Sequence, residues 1–382
     1  LVTRNTEYQN INNQTMKKII SVVGARPNFM KVAPIHRAFD KYPNVEHLIL
    51  HTGQHYDAAM SDAFFQDLDM PQPAYFMGVG SGSHAEQTAK VMVEFEKAMQ
   101  ELKPDFVIVV GDVNSTIACT LTAVKMGIPT AHVEAGLRSG DRGMPEEINR
   151  IATDSICDYW FVTEQSGLDN LLQNGSPEEK VFFVGNTMID SLHYALPKAE
   201  NSDILNEIGL KPKEYVLVTM HRPSNVDEPK QLGELLEILA ELSKDRMVVF
   251  PVHPRTRKNI ASHGLNDIIE QNPNIKLIDP QGYISFLALM KNSDFVLTDS
   301  GGIQEETTAL GVPCMTIRTT TERPITCEIG TNTLIEPTSE GIRNGLKVML
   351  NSPRKTGQIP PLWDGHAADR IAEVIVTQCL GL

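Results

Sequence analysis

The stretch best suited to chemistry on an anion is Thr298-Asp299-Ser300-Gly301-Gly302-Ile303-Gln304-Glu305-Glu306. Residues 295–297 are apolar and predict a strand leading in, and Thr307, Thr308 and Leu310 predict a helix leading out. That order leaves backbone N–H groups without intrahelical partners at the positive end of the helix dipole, where anions bind. Ser300 adds a hydroxyl donor, and Gly301 and Gly302 let a phosphate approach the backbone. Glu305 and Glu306, one turn on, suit a sugar diol, whose hydroxyls donate to carboxylates. A second strand–turn–helix unit begins at residues 19–24 and places Arg26 and Lys31 where an anion would sit. Asp112, Glu134 and Glu146 follow strand-like runs or open a helix near Pro145. Singly, each acid reads as a helix cap or a solvated side chain. Three acids converging with two cations read instead as a proton-transfer site beside an anion site.

Those groups need a scaffold that brings many strand ends to one edge. Apolar runs at 19–23, 47–51, 106–110, 130–133, 160–163 and 181–184 alternate with helical patterns. The pattern restarts at 215–219, 247–252, 276–279, 295–298 and 313–317. Repeated strand-then-helix units predict an α/β fold: two Rossmann-like doubly wound domains facing a central cleft, with ligands at the carboxyl edges of the strands. Residues 1–16, rich in Asn, Gln and Thr, read as a disordered extension. Residues 17–195 form the first domain, 196–213 a linker with Pro197 and Pro212, and 214–362 the second domain. Residues 363–382 carry a terminal helix expected to pack back on the first domain.

A chain of 382 residues exceeds one comfortable core, and 41% hydrophobic with 21% charged residues is an ordinary globular composition. No apolar run reaches the roughly 18 residues of a membrane span, and the opening residues show no leader pattern. The formal charge of −14 argues against a nucleic-acid partner. Five widely spaced cysteines without a CxxC pair signal neither a disulfide framework nor a zinc site, so a reduced, cytoplasmic protein is expected. No G-x-G-x-x-G follows the first strand and no G-x-x-x-x-G-K-[ST] occurs, which argues against a nicotinamide dehydrogenase and a P-loop NTPase.

Taken together, Gly24-Ala25-Arg26-Pro27 with Lys31, Gly111-Asp112, residues 132–138, residues 145–150, His221-Arg222, residues 251–254, residues 298–306 and Thr321-Glu322-Arg323-Pro324 resemble the non-hydrolysing UDP-N-acetylglucosamine 2-epimerases, which have the GT-B fold. The resemblance spans about residues 17–380 in the family's order. It implies interconversion of UDP-GlcNAc and UDP-ManNAc without metal or cofactor, through elimination of UDP to a 2-acetamidoglucal and re-addition. By the same resemblance Asp112, Glu134 and Glu146 form the acid/base set and His221 serves the leaving group, since an imidazolium donates a hydrogen bond and offsets charge. Arg26, Ser300, Gly301 and Gly302 would hold the diphosphate with Arg323 nearby, Glu306 the ribose, Gln281 and Phe286 the uracil, and Lys31 the sugar. A homodimer is the family's expected assembly. The 139–144 loop is shorter than in familiar bacterial members, and Thr52–Tyr56 and 144–150 also look like relatives acting on UDP-2,3-diacetamido-glucuronic acid. That substrate, a hydrolysing 2-epimerase and a GT-B glycosyltransferase are the alternatives.

Overall fold

The computed structural model describes residues 16–54, 65 and 67–382. The extension expected before Met16 and most of the helix expected through Met60, Phe64 and Phe65 lie outside the described residues.

Two all-parallel sheets organise the chain. The first has seven strands in the order β3-β2-β1-β4-β5-β6-β7: β1 Lys17–Val23, β2 Val45–His51, β3 Tyr75–Phe76, β4 Phe106–Val110, β5 Thr130–Val133, β6 Tyr159–Val162 and β7 Val181–Phe183. The second has six, in the order β10-β9-β8-β11-β12-β13: β8 Tyr215–Thr219, β9 Met247–Pro251, β10 Ile275–Ile278, β11 Phe295–Thr298, β12 Cys314–Ile317 and β13 Asn332–Ile335. Helices cover both faces of each sheet, so central strands read as unbroken apolar runs instead of alternating ones. Strand β4, FVIVV, is buried at every position. In each sheet the order reverses once, between β1 and β4 and between β8 and β11. At such a reversal the two following loops diverge and open a crevice at the carboxyl edge, which is where open α/β sheets bind ligands.

The halves are joined by an apolar seam. One cluster of buried side chains runs from Ile19, Phe29 and Ile35 of the first half to Tyr215, Leu287 and Val296 of the second. The helix Thr187–Glu200 packs on the helix Arg26–Phe39 on one side and on Tyr283–Asn292 and Gly301–Leu310 on the other. It continues through Pro197 to Glu200, and a short helix Ile204–Glu207 follows, so the first residues expected as linker are helical. A proline in the last turn removes one backbone donor without breaking the turns before it. The terminal helix Ala367–Val374 lies against Arg26–Phe39, its first N–H groups held by Asp190, which accepts from Ala367 at 3.1 Å and Ala368 at 2.7 Å.

Candidate active site

Between the two reversals lies a cleft of about 940 Å³, lined by both halves. The second half contributes a candidate anion site. Ser300 caps the helix Gly301–Leu310 from extended backbone, and its hydroxyl makes no cap bond. Around that turn the packing is close: a methyl on Gly301 would meet Glu322 Oε1 at 2.7 Å and Arg323 Nη1 at 3.1 Å, with Arg318 Nη1 at 3.7 Å. Arg318 Nη1 is buried and makes no hydrogen bond among the described residues. An unmet buried guanidinium N–H beside a helix N-terminus is the donor set an oxyanion group would satisfy. His221 leaves β8 at the same edge, and its Nδ1 lies 2.8 Å from Asp299 Oδ1. Asp299 is fully buried and accepts from the backbone N–H groups of His221 and Arg222 and from Asn225 Nδ2 at 2.8 Å. Burial pushes its carboxyl up, but the His221 bond and these donors outweigh burial and hold it below the usual range. An ionised Asp299 fixes the His221 ring with Nδ1 as donor and leaves Nε2 for a ligand.

The first half contributes the acids. Glu134 follows β5 with φ at +71°, left-handed backbone that costs a non-glycine residue about 1–3 kcal/mol. Its side chain is buried, ion-paired with Lys31 and 2.7 Å from Arg323 Nη2 of the other half. Burial alone would raise its carboxyl, yet Lys31 and Arg323 prevail and hold it below the usual range. Lys31 is brought there by the turn after β1, and Gly111 sits against it with φ at +66°, backbone that favours glycine, where a Cβ would stand 3.0 Å from Lys31 Nζ. Asp112 is partly exposed and receives Arg150 Nε and Nη2, both at 3.0 Å. Glu146, half-buried at the start of the helix Pro145–Ile156, lines the cleft with no hydrogen bond or ion pair among the described residues. Its neighbour Glu147 faces inward, pairs with Arg150 and accepts from the Ser139 and Gly140 N–H groups, so it holds the 139–143 loop instead of meeting the cleft.

Of the residues expected from sequence, Lys31, Asp112, Glu146, His221, Gln281, Phe286, Ser300, Gly301, Gly302, Glu306 and Arg323 line this cleft. Glu134 lies behind them, reached through Lys31 and Arg323. Arg26 opens its helix, and its side chain lies outside the described part of the structure. Glu306 is buried and accepts from the Tyr283 hydroxyl at 2.9 Å. Arg323 is more enclosed than a phosphate ligand would be: Nε is 2.8 Å from Glu305, Nη1 2.5 Å from Glu322 and Nη2 2.7 Å from Glu134. Burial opposes its charge, but the three carboxylates hold its pKa well above the ordinary value. Arg150, Asp299, Arg318 and Glu322 were given no role from sequence, and Glu305, expected there to take a sugar diol, is set against Arg323 instead. The only trace the first four left there was adjacency to residues that were given one.

Two doubly wound halves with a nucleotide-type anion site in the second and an acid cluster in the first define a GT-B enzyme acting on a nucleotide-linked sugar. The family model described as UDP-N-acetylglucosamine 2-epimerase matches residues 37–376. A UDP-N-acetylglucosamine 2-epimerase of Methanocaldococcus jannaschii is 42% identical over 364 residues, covering 94% of this chain and 98% of its own. The UDP-2,3-diacetamido-2,3-dideoxy-D-glucuronate 2-epimerase of Pseudomonas aeruginosa is 38% identical over 365 residues, covering 94% and 99%. The crystal structure of the Methanocaldococcus jannaschii UDP-GlcNAc 2-epimerase in complex with UDP-GlcNAc and UDP superposes with a TM-score of 0.85 at 41% identity, over 94% of this chain and 99% of that one. The chain belongs to the UDP-N-acetylglucosamine 2-epimerase family, and it is an epimerase, an isomerase-type enzyme.

Proposed function

We propose that the enzyme interconverts UDP-GlcNAc and UDP-ManNAc by eliminating UDP across carbons 1 and 2 and adding it back with the opposite configuration at carbon 2. The observation that carries this reading is the pairing across one cleft of a buried, ionised Glu134 with an anion site at Ser300–Gly302. A carboxylate takes the carbon 2 proton and becomes a carboxylic acid. The C–H electron pair forms the carbon 1–carbon 2 double bond, and the carbon 1–oxygen bond breaks with its pair going to UDP. The reverse steps, with the proton delivered to the opposite face of carbon 2, give the epimer. Asp112, Glu134 and Glu146 supply the carboxylates. His221 and the N–H groups at Ser300–Gly302 receive the charge growing on the departing diphosphate, an effect of the kind that one positioned donor makes worth about 10²–10³-fold in rate. Among the described residues Arg318 Nη1 has no hydrogen bond to lose when it turns to the diphosphate.

The test is proton NMR of UDP-GlcNAc with enzyme in deuterated water. Deuterium at carbon 2 in both epimers is expected, with UDP staying linked to the sugar. Free ManNAc would mark a hydrolysing enzyme, and unchanged carbon 2 would refute the reading. UDP-2,3-diacetamido-2,3-dideoxy-D-glucuronate in a parallel tube decides between the two substrates of its relatives.

We further infer a cytoplasmic homodimer. All five cysteines are free, which suits a reducing compartment. The helices His84–Leu102, Asn114–Lys125 and Pro145–Ile156 lie side by side, and their outward positions include Ala89, Val93, Ile117, Leu121, Val124 and Ile148, all at least partly exposed. Val93 and Ile148 are 53% and 41% exposed. The charges beside them on the first helix, Glu86, Lys90, Glu94 and Lys97, alternate in sign, so a second copy of this otherwise acidic chain meets no net repulsion there. Light scattering should give twice the chain mass for the wild type and one chain mass for Val93→Glu.

A further inference from the structure

We infer that Glu305 is a positioning residue for the epimerisation: it holds Arg323 in the orientation that carries the guanidinium across the cleft onto Glu134. The inference rests on the acid/base reading of Glu134 given above. A guanidinium presents its N–H groups in one plane, and here Nη1, Nη2 and Nε each face a carboxylate, Nε as an ion-pair contact that is not aligned as a hydrogen bond. Glu322, engaged also by Arg318 at 2.9 Å, takes Nη1 and could hold Arg323 within its own half alone. The Nε contact with Glu305 Oε1 at 2.8 Å fixes rotation about that first contact, so that Nη2 projects to Glu134 at 2.7 Å. Glu305 is in turn anchored from the first half, because Asn186 Nδ2 donates to the same Oε1 at 2.8 Å while Asn186 Oδ1 caps Met188 N–H at 2.9 Å. The path Asn186–Glu305–Arg323–Glu134 therefore crosses between the halves twice.

Stability does not account for Glu305. Its Oε2 is buried with no hydrogen bond among the described residues, and burial foremost raises its carboxyl above the ordinary value, with Glu134 adding to the rise. A buried carboxylate with one oxygen unmet is a net cost that an apolar side chain would avoid. What the residue supplies is direction. Lys31 from Arg26–Phe39, Arg323 from the loop after β12, Arg150 from Pro145–Ile156 and Glu305 itself from Gly301–Leu310 face Glu134. Losing the Arg323 contact leaves Lys31 and Arg150 as its cations and makes Glu134 harder to ionise.

The test is the pH dependence of kcat/KM for the wild type, Glu305→Ala and Glu305→Gln, with UDP affinity measured in parallel. Glu305→Ala frees Arg323 and is expected to lower kcat about a hundredfold and move the acidic limb up by about one pH unit, with UDP affinity nearly unchanged. Glu305→Gln keeps an Oε1 acceptor for Arg323 and Asn186 and drops one negative charge beside Glu134. It is expected to restore most of the lost rate, with the acidic limb at or below the wild-type position. Equal losses in both variants with an unmoved limb would overturn the assignment. If Glu305→Ala fails to fold by circular dichroism, Arg323→Lys replaces it: the charge remains but cannot reach three carboxylates, so the same upward shift is expected and an unmoved limb overturns the assignment. A wild type that leaves carbon 2 of UDP-GlcNAc unexchanged would refute the underlying reading of the site, whereas an active wild type with unmoved limbs would refute only the role of Glu305.

Discussion

Glu134→Gln separates chemistry from binding, because the structure makes the two respond in opposite directions. Gln keeps the size of Glu134 and adopts the same left-handed backbone at no greater cost. What it removes is one buried negative charge between Lys31 and Arg323. A neutral amide cannot accept the carbon 2 proton, and loss of a positioned general base typically costs about 10²–10⁴-fold, or about 2.7–5.5 kcal/mol of barrier. The two cations lose their counter-charge, so the folded state is weakened as well, by up to the roughly 3–5 kcal/mol typical of a broken buried pair. UDP, an anion entering the same cleft, gains from two less neutralised cations. Turnover should therefore collapse while UDP titrated calorimetrically binds as tightly as to wild type or more tightly. Asp112→Asn and Glu146→Gln should share the loss of turnover, with smaller effects on folding because both acids are partly exposed. If UDP affinity falls in step with turnover in the Glu134 variant, the residue supports the fold and its placement as a base is wrong.

Ser300→Ala removes a hydroxyl donor that the helix cap does not use. A hydrogen bond to a charged group contributes about 1.5–3 kcal/mol, so UDP should bind roughly 10- to 150-fold more weakly by titration calorimetry, and unchanged affinity would remove Ser300 from the anion site. Glu164, at the end of β6, has its carboxyl pushed up by burial to about 7. Because the folded pKa lies above the unfolded one, its contribution to stability is whole below pH 4.5 and is lost as pH rises through about 7. Over that window about 3 kcal/mol disappears at about 1.36 kcal/mol per unit, and Glu164→Gln should flatten the fall in melting temperature; parallel curves would count against it. Since both halves line the cleft, saturating UDP should reduce the radius of gyration in small-angle scattering, and an identical profile would argue against closure.

The fold was legible because central parallel strands are buried on both faces, so runs such as Phe106–Val110 and Phe295–Thr298 stand out without periodicity. The residues at their carboxyl ends were legible for the same reason: a Gly, Asp or His directly after such a run sits at the ligand edge. Partners were not. Arg323 meets Glu134 across 189 positions, and Asp299 meets the 221–225 turn across more than 70. No local pattern encodes such a pair, and each side chain on its own reads as an ordinary surface charge. Where helix gives way to linker after Pro197 was not legible either, since the packing of the helix Thr187–Glu200 on both halves is unseen in the sequence.

That packing bears on how a chain with a formal charge of −14 holds a diphosphate. The cleft does not present a bare basic surface: Lys31, Arg150 and Arg323 are each already committed to carboxylates. Among the described residues the second half keeps donors in reserve, in the Arg318 Nη1 group, the Ser300 hydroxyl and the start of the helix Gly301–Leu310. On the proposed reading a diphosphate meets these free donors in the second half, and the committed charges around Glu134 act on the sugar. A glycosyltransferase built on the same architecture needs the anion site and a base for its acceptor hydroxyl, but no cluster of three acids beside the sugar. The acids fixed around Lys31, Arg150 and Arg323 suit, on the proposed reading, a proton that must leave and return to carbon 2, and this half of the cleft is where an epimerase is expected to differ from a transferase of the same architecture.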